Sequence, residues 1–421
     1  MFSESFEVFR STGMGPGMNY HQQTQAAGRE LMPDLVRAFA ILGIVVVNVA
    51  AFGYPLLDGY GAEGLATTAD KGAAFAVNSL ALAKSYSLFS IMFGVGLFYQ
   101  LRSAERAGVS AAGRYYRRMA GLLMLGMLHV WLAFIGDILI LYAIVGCFLW
   151  LFRDADVKSL RLTGTWILAA AVAMSALSAG ILALIASVDP DSLSEFDALI
   201  GLGDPGPLID GTFLEAANYR VATYLVQLQV LAFGQGILVL AYFLWGLAFA
   251  KSGLIARPDA PEWGRARRLA LPAGLALSVA GAAVAWGSSS QFDPRFALGM
   301  SVIMLGAPFS TLGYMGLIAK WAAGPPSALK TFMARGGTAT LTAYLLQSAI
   351  LSIAFTNYGL GRYGEMSAFP SVILALGVGV FTLAFTSLWR TRFARGPMEW
   401  LLRRWTYLGS NRRSAAQSAA S

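Results

Sequence analysis

The sequence predicts an all-α polytopic membrane protein: a bundle of about ten transmembrane helices with both termini in the cytoplasm. Three observations carry this expectation. Hydrophobic residues fill 57% of the 421 positions and charged residues only 13%, about half of the roughly 25% usual for a soluble domain. Apolar runs close to membrane-spanning length recur along the chain. Lys and Arg concentrate in alternate segments between those runs.

A helix needs about 20 apolar residues to cross the hydrocarbon. Such runs fall at 36–56, 79–101, 119–135, 138–153, 163–187, 221–250, 269–287, 297–319, 337–357 and 369–389. Only Ile135, Gly136 and Asp137 separate the third from the fourth, and a Gly-Asp pair favours a tight turn, so these two form a helical hairpin. The sixth run is long enough to be tilted. Loop charges test the count. The segment after the second run nets +4 (Arg102, Arg106, Arg114, Arg117 and Arg118 against Glu105), that after the sixth +3, that after the eighth +3 and the tail beyond 389 +6. The segment after the fourth nets +1, the one after the first −2 and the one after the fifth −6. Every even-numbered loop is rich in Lys and Arg and no odd-numbered loop is, which places both chain ends inside.

Residues 1–30 are polar and Gly/Gln-rich, lack the layout of a secretory signal, and read as a disordered tail that contains His21. The remaining division is 31–160 for the first four spans, 161–220 for the fifth span and an acidic outer loop, 221–408 for the later spans and an interfacial tail helix, and 409–421 for a second disordered tail. The +8 net charge is dispersed in loops, where it sets orientation rather than binding nucleic acid. The single cysteine, Cys147, rules out an intramolecular disulfide, and no Cys/His cluster suggests a metal site. Gly377 and Gly379 offer a close helix contact within or between protomers; the oligomeric state is open.

Ionisable residues within a span are costly and are functional candidates by default. They are Lys84, His129 and Asp137, with Asn48 and Gln347 as uncharged company. Counted along a helix at about 1.5 Å per residue, Asn48 and His129 lie about 16 Å and Gln347 about 18 Å above the inner arginines, near mid-membrane. The same count places Lys84 at about 27 Å and Asp137 at about 28 Å, where they could pair. His129 is the embedded imidazole and can exchange a proton near neutral pH. Bland roles compete throughout: snorkelling for Lys84, a turn cap for Asp137, interhelical hydrogen bonds for Asn48 and Gln347 and a structural hydrogen bond for His129. On the inner face, Arg37 with Arg114, Arg117 and Arg118 forms a basic, aromatic-rich patch able to hold a phosphorylated cofactor or anionic lipid.

Four ordered motifs carry a family resemblance. They are the opening from Asp34 to Asn48 (DLVRAFAILGIVVVN), the stretch from Tyr86 to Gly96 (YSLFSIMFGVG), Leu128-His129 followed by Gly136-Asp137 and Tyr142, and the closing from Gly396 to Tyr407 (GPMEWLLRRWTY). Together they resemble the YeiB-like family of bacterial membrane proteins, domain of unknown function 418, over residues 30–408. The first span is also similar to that of membrane acyltransferases, which move acyl groups from cytoplasmic acyl-CoA to glycans. In one branch of these, an Arg is followed eleven residues later by a catalytic His; here Arg37 is followed by Asn48. In a branch resembling the glucosaminide N-acetyltransferases, Asn holds that place and a catalytic His lies in the loop beyond, yet residues 49–78 contain no His. The resemblance implies a bacterial inner-membrane location. It also suggests acyl transfer to an envelope glycan or lipid, with acyl-CoA as co-substrate bound by Arg37, Arg114, Arg117 and Arg118. His129, Asp137 and Asn48 would then be the catalytic candidates, and Lys84, Tyr86 and Gln347 the substrate-binding ones. A solute carrier, proton-coupled or not, and a non-catalytic scaffold docking through the 188–220 loop and the Glu399 helix remain alternatives.

Overall fold

The computed structural model describes residues 30–55, 60, 63–189, 193, 205–288 and 292–408. The two tails expected at 1–30 and 409–421, with His21 and apart from Glu30, and much of the acidic loop lie outside the described residues. Among the described residues the protein is entirely helical. The principal helices are α1 (Leu31–Asn48), α2 (Thr68–Leu80), α3 (Lys84–Arg106), α4 (Ala111–Leu132), α5 (Leu139–Leu149), α6 (Val157–Val188) and α7 (Phe213–Phe233). They continue with α8 (Gln235–Lys251), α9 (Leu271–Val284), α10 (Pro294–Ala323), α11 (Ala328–Gly337), α12 (Thr340–Phe355), α13 (Ala368–Arg392) and α14 (Pro397–Thr406).

Among the described residues six helical stretches are long and apolar enough to cross a membrane, or seven when α11 and α12, bent by 81°, count as one span. The chain is thus an integral, multi-pass membrane protein. These seven correspond to the runs at 36–56, 79–101, 163–187, 269–287, 297–319, 337–357 and 369–389. The other three expected spans take less regular forms. α4 has 22 residues, but three arginines and His129 dilute its apolar character. α5 has only 11 residues before a 3-10 turn at Trp150–Phe152. The run at 221–250 is not one helix: it breaks at Gly234 into α7 and α8.

Lipid offers no hydrophobic drive for helix association, so small residues and close packing do that work. α8 is the hub, packed on α3 and α6. A Cβ on Gly94 of α3 would lie 2.0 Å from the Phe243 carbonyl oxygen, and one on Gly246 of α8 2.0 Å from that of Ile91. The two backbones therefore touch at a reciprocal glycine pair, which accounts for Gly94 in the second motif. Gly337, at the α11–α12 bend, makes the same kind of contact with the Asp34 carbonyl of α1. Gly379 of α13 packs on Val45 and Leu42 of α1, an internal contact, whereas Gly377 faces open space.

The closing motif folds inward. α14 lies against α4 and the start of α12. Glu399 accepts the Leu341 and Thr342 amides at 2.7 and 3.1 Å and the Thr342 hydroxyl at 2.6 Å. It thereby caps the amino end of α12, where free N–H groups and the helix dipole favour a carboxylate. Trp405 Nε1 donates to the Arg117 carbonyl at 2.8 Å and Arg117 Nε donates to the Thr406 carbonyl at 2.9 Å, fixing α14 on α4.

Candidate functional site

A cavity of about 760 Å³ opens where α1, α3, α4, the α11–α12 bend and the α13–α14 connection meet. Seven arginines line it: Arg37, Arg106, Arg114, Arg118, Arg390, Arg395 and Arg403. Its three carboxylates are already engaged. Asp34 pairs with Arg37 at 3.3 Å, Glu399 caps α12, and Glu30 accepts the Tyr99 hydroxyl. The Nε atoms of Arg114 and Arg118 are buried and have no hydrogen-bond partner among the described residues. Desolvation, then the Arg403 and Arg390 charges, lower the pKa of Arg395 from its ordinary value. Like charges crowded in this way favour an anion over a cation in the space between them. The other end of the cavity is apolar and aromatic, lined by Phe89, Met92, Phe93, Leu122, Leu139 and Tyr142. Phe89 and Arg106, both in the wall, are seventeen residues apart on α3, about 25 Å of helical rise, so the cavity runs from a basic mouth deep into the bundle.

Beyond that apolar end lies a buried pair. His129 Nδ1 and Asp137 Oδ2 are 2.7 Å apart, and the two residues are 4% and 2% exposed. A carboxylate only accepts, so Nδ1 is the donor in this contact. Nε2 is buried without a partner among the described residues. The other oxygen of Asp137 accepts the Ile140 amide at 2.9 Å in the first turn of α5, where the helix dipole stabilises its charge. Gly126 permits this arrangement, since a Cβ there would stand 2.9 Å from Asp137 Oδ1. The His129 ring packs on Tyr344 of α12 at 5.0 Å between centroids.

Sequence spacing separated His129 from Asp137 in depth and matched Asp137 with Lys84. The structure corrects this. The rise was counted as though the helix ran on to Asp137, but α4 ends at Leu132 and the 133–138 loop folds back. Lys84, 1% exposed, donates instead to the Asn78 carbonyl at 3.3 Å. Arg37, Arg114 and Arg118 reach the cavity, while Arg117 is bound to α14. Asn48, His129, Gln347, Lys84 and Tyr86 are not in its wall. Gln347 Nε2 donates to the Ile41 carbonyl at 3.4 Å and to Thr382 Oγ1 at 3.1 Å, tying α12 to α1 and α13. Tyr86 offers its carbonyl to Ser90 at 2.7 Å.

Sequence reasoning missed Arg106, Arg390, Arg395 and Arg403 as parts of one site. They were visible only as contributors to loop charge. It also missed Arg220, which is 2% exposed and donates to the Val130, Trp131 and Leu132 carbonyls at 3.2, 2.9 and 3.3 Å. Arg220 thus closes the carboxyl end of α4 next to His129.

Comparison with known proteins places this chain in a family. Residues 249–409 match the family model described as protein of unknown function (DUF418). The chain is 31% identical over 395 residues to YxaH of Bacillus subtilis (strain 168), covering 89% of this chain and 93% of that one. The chain belongs to the YeiB-like DUF418 family. It is also 28% identical over 391 residues to YeiB of Escherichia coli (strain K12), covering 90% of this chain and 96% of that one. A 39.9 kDa protein from the amylase 3' region of Bacillus acidopullulyticus is 25% identical over 378 residues, covering 89% of this chain and 92% of that one. No solved structure matches the chain significantly. The DUF418 match contains α14, Glu399 and three of the seven cavity arginines, so the basic cavity is built partly from the region that defines the family.

Proposed function

We propose that this DUF418 protein is an acyltransferase of the bacterial cytoplasmic membrane, with ten spans and both termini inside, that draws its donor from cytoplasmic acyl-CoA. One observation carries the reading: seven arginines from separate segments line one cavity whose far end is aromatic. A CoA thioester has the matching polarity, with several phosphate charges at one end and a thin, largely uncharged arm at the other. Guanidinium groups suit phosphates because their planar N–H forks match phosphate oxygens. Six of the seven arginines belong to segments that the charge alternation assigns to the cytoplasm, where acyl-CoA is found, and Arg37 stands at the inner end of the first span.

In this reading Arg37, Arg114 and Arg118 hold the phosphates. His129 is the general base and Asp137 fixes its tautomer. The acceptor, a hydroxyl or amine of an envelope glycan or lipid, loses its proton to His129 Nε2. Its oxygen or nitrogen bonds to the thioester carbon, the C–S bond breaks, and the departing thiolate takes the proton. Neither His129 nor Asp137 is in the cavity wall, so transfer requires that end to open. Asn48 and Gln347 have no catalytic part in this scheme.

The test is turnover of labelled acyl-CoA by the full chain in proteoliposomes supplied with an envelope extract. Wild type is expected to release CoA and move the label onto the extract. His129→Ala should lose a factor of about 100 or more. Equal release by both proteins would refute the proposal. A carboxyl-terminal topology reporter active outside the cytoplasm would refute the orientation.

A further inference from the structure

We infer that the Tyr142 hydroxyl, backed by Ser90, is the group that binds the acyl carbonyl at the inner end of the cavity. This inference rests on the acyl-CoA reading and adds the residue that would distinguish a thioester from a ligand of the same shape without a carbonyl.

Tyr142 is the phenol at the apolar end of the cavity wall, at the opposite end from the arginines. It is 1% exposed. Its ring is held on several sides: Phe93 stands at 5.4 Å and 77°, Phe243 at 5.1 Å and 89°, and Phe89 at 5.9 Å. Edge-to-face contacts of this kind fix a ring's orientation. Burial among these rings lowers the local dielectric, which strengthens any hydrogen bond made there.

The hydroxyl belongs to a triangle of oxygens. Ser90 Oγ lies 2.6 Å from the Tyr142 hydroxyl and 2.7 Å from the Tyr86 carbonyl, and the Tyr142 hydroxyl lies 3.2 Å from that same carbonyl. Two protons therefore serve three oxygens. When Ser90 donates to the Tyr86 carbonyl, Tyr142 donates to Ser90. When Ser90 turns its proton to Tyr142, the phenolic proton has only the long contact to the Tyr86 carbonyl. A carbonyl oxygen arriving in the cavity takes the phenolic proton in this second arrangement, in which Ser90 gives up its 2.7 Å bond to the Tyr86 carbonyl, an oxygen that keeps its backbone partner within α3. Ser90 then remains as donor to Tyr142 and makes the phenol a better donor. The hydroxyls need no net proton change, so the pair acts as a pre-formed carbonyl-binding site. This assignment gives a role to Ser90 in the Tyr86–Gly96 motif and to Tyr142 in the motif that begins at Leu128-His129.

The test is equilibrium binding of acetyl-CoA and of S-ethyl-CoA, the thioether of the same size without the carbonyl, to the purified full chain. Wild type should prefer acetyl-CoA by about 5- to 10-fold, the worth of one hydrogen bond. Tyr142→Phe should bind both ligands with the wild-type affinity for S-ethyl-CoA, which also shows that the variant is folded. Ser90→Ala, a second and milder variant, should reduce the preference without abolishing it. Binding of both ligands by wild type without preference, or a preference retained in Tyr142→Phe or unaltered in Ser90→Ala, would overturn the inference and leave the acyl-CoA reading standing. No binding of either ligand by wild type would overturn both.

Discussion

Glu399→Ala is the perturbation with the best-defined structural cost. The carboxylate receives two backbone amides at 2.7 and 3.1 Å and the Thr342 hydroxyl at 2.6 Å. Hydrogen bonds to a charged group contribute about 1.5–3 kcal/mol each, and bonds sharing one acceptor are not additive. The interaction with the α12 dipole adds about 0.3–1 kcal/mol. A total near 3 kcal/mol follows. Glu399→Gln keeps a carbonyl for the amides but loses the charge, so about half of that cost is expected. Because the same carboxylate also fixes α14 beside the cavity, Glu399→Ala should additionally weaken anion binding. The assay is pulse proteolysis in detergent, comparing the population of cleavable open forms across the three proteins. The expected order of protection is wild type, Glu399→Gln, Glu399→Ala. Equal protection in Glu399→Ala and wild type would refute the cap as a stabilising element.

Three further outcomes follow from other contacts. Asp137→Asn should release the His129 tautomer from Nδ1–H to a mixture, read by imidazole 15N chemical shifts in a protein whose only other histidine, His21, is replaced; an unchanged spectrum would contradict the pairing. Arg220→Met should leave three carbonyls at the end of α4 without their donor and cost about 2–3 kcal/mol, seen as faster hydrogen exchange over 129–138 than elsewhere. Gly94→Val should separate α3 from α8, because even a Cβ would stand 2.0 Å from the Phe243 carbonyl oxygen; a stable variant with an unaltered fold would contradict the backbone contact.

Apolar run length made seven spans legible from sequence, since the membrane imposes a minimum length on every crossing helix. It could not locate the break at Gly234 or the 81° bend between α11 and α12. Both interruptions occur inside apolar sequence, where a broken helix has the same hydropathy as a straight one. The site was legible in its residue types more than in their arrangement. His129 and Asp137 stood out as embedded ionisable groups, yet helical rise gives depth and not the direction a side chain faces. The return of the 133–138 loop brought them together. Arg114 and Arg118 were recognised as a possible phosphate cradle. Arg390, Arg395 and Arg403 were not, because their convergence on the same cavity depends on Glu399 and the Arg117–Thr406 bond folding the tail back across more than 250 residues of chain.

The central claim is that the arginine-lined cavity binds a CoA-type anion, and equilibrium titration of coenzyme A itself into wild type and Arg118→Met tests it most directly. The predicted result is saturable binding, one CoA per chain, weakened about 10- to 100-fold by the substitution, as loss of a charge-assisted phosphate contact requires, and weakened further by added salt. Saturable binding with the same affinity in both proteins, or no saturable binding at all, would contradict the account.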